Sequence, residues 1–163
     1  LKDGGEILLY ASNNLKNNRD IVLEAVKNDG INYRYASENL KNDREIAIEA
    51  IKKDAHALMH FNDVYKADEE VVLIALSAYG HVLEYADDIL KSNRSFILKA
   101  VKQGSGYNNH SLLRYCDEKF LSDKEIMMEA IKSDWEAYDY ASIQLQNDED
   151  VKQIYDDHKY IGE

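Results

Sequence analysis

Proline is absent from all 163 residues, so nowhere does the chain lose a backbone donor to that ring, and its reversals fall to glycine, asparagine and aspartate. Cysteine is nearly absent as well. The single Cys116 excludes an internal disulfide and a cysteine-based zinc site, and it fits a reducing compartment. No apolar run approaches the roughly 20 residues that span a bilayer, which argues against a membrane-crossing helix. Leu1 to Tyr10 also lack the basic and apolar regions of a secretory signal. Basic charge is the minority charge: 20 Lys and Arg stand against 31 Asp and Glu, a net −11. That balance opposes attraction to a polyphosphate backbone and argues against nucleic acid as a partner. What the chain has in quantity is tyrosine, twelve of them, within an ordinary 45% hydrophobic content. These features suit an all-helical protein with short turns.

An internal repeat runs through the sequence. Tyr10-Ala11-Ser12 returns as Tyr35-Ala36-Ser37, His60-Phe61-Asn62, Tyr85-Ala86-Asp87, Tyr115-Cys116-Asp117 and Tyr140-Ala141-Ser142, each step being 25 residues except the fourth, which is 30. Five places on comes a large apolar or aromatic residue: Leu15, Leu40, Tyr65, Leu90, Phe120, Leu145. Eight places on comes Asn18, Asp43, Asp68, Asn93, Asp123 or Asp148. Residues of that type cap helices, because their side-chain oxygen accepts an amide of the first turn that has no partner within the helix.

A helix therefore starts after each cap, with acids such as Asp20, Glu45, Glu70, Glu125 and Asp150 in its first turn, where the helix dipole favours them. Its apolar stripe has amphipathic spacing, as in Ile46-Ala47-Ala50-Ile51. The small residue in that stripe, Ala25, Ala50, Ala75, Ala100 or Ala130, admits a closely packed neighbour. For the second repeat the spacing predicts a helix from Asp43 to about Asp54. A left-handed glycine cap is expected at Gly30 and Gly80, followed by a preceding helix of about ten residues. Neither helix is long enough to be stable alone, so stacking must stabilise both.

The predicted fold is all-α: a right-handed α-solenoid, or α-α superhelix, of about six 25-residue two-helix repeats. The units lie near 1–26, 27–51, 52–76, 77–101, 102–131 and 132–163 within a single array. Leu1 aligns with Val26, so the chain opens inside a unit, and a longer parent protein is expected. Lys152 and Gln153 replace apolar residues of the stripe, which reads as a terminal cap packed through Val151, Ile154, Tyr155 and Ile161.

Leu40-Lys41-Asn42-Asp43-Arg44-Glu45-Ile46, with Tyr35-Ala36-Ser37 and Glu24-Ala25-Val26-Lys27-Asn28-Asp29-Gly30, resembles the repeats of domain-of-unknown-function family 4116 over essentially the whole chain. The family occurs in tandem copies, in bacterial and some protist proteins, and each copy is similar to about two of these units. The resemblance implies no catalytic residues. The third unit departs from the pattern at His60-Phe61-Asn62 and Tyr65.

Several residues invite chemistry. His56 and His60, four apart, have the spacing of paired zinc ligands on an α-helix, but Ala57 stands where a metalloprotease motif has Glu, so a packing role is expected. The recurring tyrosines are expected in the core, and Cys116, at a small buried position, is expected to be inert. Lys16, Lys41, Lys66 and Lys91, with Arg19, Arg44 and Arg94, form a basic ladder that is expected to balance the acidic first turns of the same helices; an acidic peptide is its alternative ligand. The extra five residues fall around 104–110. Glycines and asparagines there mark an adaptable loop, and Tyr107, Asn108, Asn109 and His110 are the expected contacts for a partner.

The expected function is a non-catalytic scaffold for a protein or peptide, with no cofactor and no membrane. The chain is expected to be a monomer, with end-to-end association at its front as an alternative, in the cytoplasm or, within an effector, the host cytosol. An accessory or spacer domain of a larger enzyme or secreted effector is the first rival. A hydrolase or metal enzyme built on the histidines is the second.

Overall fold

The computed structural model describes residues 5–103 and 109–159. Among them every regular element is helical and there is no strand, as the six aligned caps require. No helix among them is long and apolar enough to cross a membrane. Contacts gather the chain into two compact units, Leu1–Ala75 and Leu76–Glu163.

The long helices begin where the caps place them, at Arg19–Asn28, Arg44–Lys53, Glu69–Leu76, Arg94–Gln103, Lys124–Ser133 and Glu149–Lys159. All six predicted caps accept amides of the first turn: Asn18 from Ile21, Asp43 from Glu45 and Ile46, Asp68 from Val71, Asn93 from Phe96, Asp123 from Ile126, and Asp148 from Asp150 and Val151. Each such cap contributes about 1 kcal/mol. The second helix is flanked by Asp43 and Asp54, the predicted limits.

Inside the first unit, Arg19–Asn28 packs on Arg44–Lys53 and buries Val22, Ala25, Val26, Ile46, Ala47, Ala50 and Ile51. In the second, Arg94–Gln103 packs on Lys124–Ser133, which in turn packs on Glu149–Lys159. Phe96, Ile97, Ala100, Val101, Ile126, Met127, Ala130 and Ile131 fill that core. All five recurring alanines are buried. The aromatic exchange in the third repeat keeps the packing tight: Phe61 lies 4.3 Å from the Tyr33 ring and 5.8 Å from that of Tyr65.

The segment before each long helix is not the single ten-residue helix expected from its pattern. In four repeats it is a six-residue 3-10 helix (Gly30–Tyr35, Ala55–His60, Gly80–Tyr85, Trp135–Tyr140), an extended residue, and a short second turn such as Asp63–Lys66 or Asp88–Lys91, while before Lys124–Ser133 it opens with the α-helix Asn109–Leu113. At three of these four 3-10 helices an aspartate starts the tight turn. Asp29, Asp54 and Asp134 are extended and accept the amide two residues on, at Ile31, His56 and Glu136, which starts a tight turn. After the break, Asn62 and Asp87 cap the second turn in the same way. Each repeat after the first thus has three helical pieces.

Gly30 also has a different role from the left-handed cap expected of it. The long helix before it ends at Asp29 in an extended conformation, φ −150°. A Cβ on Gly30 would stand 2.2 Å from the carbonyl oxygen of Ala50 and 3.0 Å from Asp54. Close approach of the next long helix is what requires glycine. Gly30→Ala is expected to destabilise the chain by roughly 1 kcal/mol through overpacking. A urea melt measures this, and an unchanged midpoint would contradict the close approach.

Candidate functional site

Most of the basic ladder is consumed inside the fold. Arg19 donates to Asp43 at 2.7 Å and also to Glu45; Arg44 donates to Asp68 at 2.5 Å and to Glu70 at 2.6 Å. In the second unit Arg94 donates to Asp123 at 2.6 Å and Glu125 at 2.8 Å, and Lys124 to Asp148 at 2.8 Å and Asp150 at 2.6 Å. Each cation opens one long helix and grips the cap and first-turn acid of the next. The expectation that it balances its own helix is thereby corrected. Three of the four lysines are engaged too: Lys41 with Glu38 at 2.8 Å, Lys91 with Asp88 at 3.2 Å, and Lys16 with the Leu9 carbonyl at 3.2 Å.

These clamps have a pH consequence. The Arg19, Arg94 and Lys124 side chains hold the Asp43, Asp123 and Asp148 carboxyls below the usual carboxylate range. Their stabilisation is therefore complete above the unfolded value of about 3.9 and is lost as pH falls through the lower folded values. The urea midpoint is expected to hold above about pH 5 and to fall below about pH 4, less steeply in high salt. A midpoint that rises on acidification would contradict the clamps.

Of the four residues expected to meet a partner, Tyr107 and Asn108 lie outside the described residues. Asn109 does not project: it is 3% exposed, and its amide donates to the Val101 carbonyl at 3.0 Å and the Ser133 hydroxyl at 2.6 Å. The physical reason is its register, 25 residues before Asp134, at the first position of the short α-helix Asn109–Leu113. His110 is half-buried. Its backbone amide donates to Asp134 Oδ2 at 2.8 Å. Its ring Nδ1 stands 2.7 Å from the same oxygen and 3.3 Å from Glu136 Oε2, and Nε2 stands 3.1 Å from Ser111 Oγ. The ring stacks over Tyr140 at 6.5 Å. Sequence reading missed this cluster because Asp134 and Glu136 come one repeat later.

The other candidates fall out as follows. His56 and His60 lie on a 3-10 helix, where three residues make a turn, so positions four apart do not share a face. His56 Nδ1 faces Asp54 Oδ1 at 3.1 Å, while burial holds His60 below its ordinary value. Cys116 is mostly buried, which pushes its thiol up to about 11 and leaves little reactive thiolate. The recurring tyrosines are not core: Tyr10 is 91% exposed, and Tyr35, Tyr85, Tyr115 and Tyr140 are half-buried. The residue two places earlier fills the core instead, as Leu8, Tyr33, Leu58, Leu83 and Leu113.

No curated protein and no solved structure matches the chain. A family model described as a domain of unknown function (DUF4116) matches it repeatedly, over residues 1–40, 18–66, 68–106 and 108–151. Those spans take in the caps, the clamps and the His110 cluster, and the chain belongs to that family.

Proposed function

We propose that the repeats stack as a short α-solenoid that acts as a non-catalytic scaffold for a protein or peptide. The observation that carries the reading is the rim of half-buried rings at the first repeat position. Tyr35 and His60 supply it in the first unit, and Tyr85, Tyr115 and Tyr140 in the second. Beside four of the five the residue two places earlier fills the core, as Tyr33, Leu58, Leu83 and Leu113. A ring held at the end of a short helical segment offers contact area at small entropic cost, which is the side-chain type that recognition surfaces favour. Exposed Val64, Ile89 and Ile143 lie a few residues beyond the rings and add apolar area.

Two measurements test the reading. A solenoid of this length has a radius of gyration clearly above the about 15 Å of a compact globule of the same size, and small-angle scattering at or below that value would contradict the stacking. For the function, the immobilised chain and a variant carrying Tyr85→Ser, Tyr115→Ser and Tyr140→Ser are compared as baits, helicity being checked first. A partner retained by the first and lost by the second supports the rim. Equal retention by both, or none by either, contradicts it and favours a spacer role.

A further inference from the structure

We propose that His110, Asp134 and Glu136 form a binding site for a divalent transition metal of the zinc class. The three donor atoms, one imidazole nitrogen and two carboxylate oxygens, lie within 4.8 Å of one another. This borderline donor set suits zinc and its neighbours better than calcium or magnesium, which prefer oxygen alone. The site touches the aromatic rim at Tyr140, whose ring stacks with that of His110, but nothing in the scaffold reading requires a metal there.

Electrostatics is the first argument. Asp134 is 2% exposed, yet among the described residues neither it nor Glu136 has a lysine or arginine partner. The cap aspartates Asp43, Asp68, Asp123 and Asp148 each have one. A buried carboxylate needs compensation, and beyond the backbone amides of His110 and Glu136 only the imidazole supplies it here. A proton on Nδ1 can serve one carboxylate well, Asp134 at 2.7 Å, and leaves Glu136 at 3.3 Å. A dication serves both.

Preorganisation is the second. Asp134 is fixed by the amides of His110 at 2.8 Å and Glu136 at 3.2 Å. Ser111 Oγ, 3.1 Å from Nε2, can accept the Nε2 proton and so leave the Nδ1 lone pair for the metal; this is the outer hydrogen bond that ligating histidines use. A tetrahedral ion with bonds of about 2.0–2.1 Å sets its ligand atoms roughly 3.3 Å apart. The Nδ1 to Glu136 separation of 3.3 Å already has that value, and the Nδ1 to Asp134 separation of 2.7 Å must open by about half an ångström. Glu136 is exposed, so water can complete the shell.

The test is titration of the full chain, stripped with a chelator, with Zn²⁺ by calorimetry and Co²⁺ by visible absorption. One equivalent of each is expected, with His110→Ala and Glu136→Gln each weakening binding at least about tenfold. Glu136→Gln replaces an exposed carboxylate by an isostere, so its metal-free melting point is expected to match the parent, which separates lost ligation from lost fold. His56→Ala is expected to change nothing. Binding that is absent, that survives both Glu136→Gln and His110→Ala, or that is lost with His56→Ala overturns the proposal.

Discussion

Replacing Tyr33 by alanine is expected to cost about 3–5 kcal/mol, while Tyr33→Phe is expected to cost only about 1 kcal/mol. The two substitutions separate the ring from its hydroxyl. The ring is fully buried and packs 4.3 Å from Phe61, so its removal opens a cavity between successive 3-10 helices. The hydroxyl donates to the Lys41 carbonyl at 2.6 Å, closing the short turn that follows. Tyr138 makes the same bond to the Gln146 carbonyl at 2.6 Å in the last repeat. Urea denaturation of the three proteins checks the order; a larger loss for Tyr33→Phe than for Tyr33→Ala would refute the packing argument.

Ala50→Leu is expected to destabilise by roughly 3 kcal/mol, at the high end for overpacking. Ala50 is fully buried on the second long helix, and its carbonyl already stands where a Cβ of Gly30 would collide. A leucine must push side chains off their rotamers or part the helices. The same substitution at Ala100, on the second unit's close contact, is expected to behave alike, and an unchanged midpoint in both would show that these alanines do not set the helix spacing.

Local signals made much of this fold legible in the sequence. The Asn or Asp at each eighth position marks a helix start because its side chain acts within three residues, and the recurring alanine marks close packing because the period repeats it. The split of the preceding segment was illegible, since over six residues the apolar pattern of a 3-10 helix resembles that of an α-helix. Asp29, Asp54 and Asp134 were the available clue.

The clamps could also have been read. Arg19, Arg44, Arg94 and Lys124 are followed one repeat later by Asp43, Asp68, Asp123 and Asp148, whereas Glu69, in the same register, is followed by uncharged Asn93. A basic first-turn residue thus goes with an acidic cap one repeat on. The His110 cluster had no such signal, because it occurs once and follows the segment that breaks the period. The position of Asn109 was misjudged for the same reason: a loop's composition does not show which of its residues turn inward.

The central claim is that the 25-residue period is the physical unit of the chain, and deleting residues 44–68 tests it most directly. The cut removes one period and leaves Asp43 to cap the helix that now begins at Glu69. Glu70 then takes the place of Glu45 as the second acid for Arg19. If the period is the unit, circular dichroism shows the same helicity per residue, and urea unfolding stays cooperative with a smaller dependence on denaturant, in proportion to the surface removed. Loss of helicity beyond the deleted residues, or non-cooperative unfolding, would contradict the account.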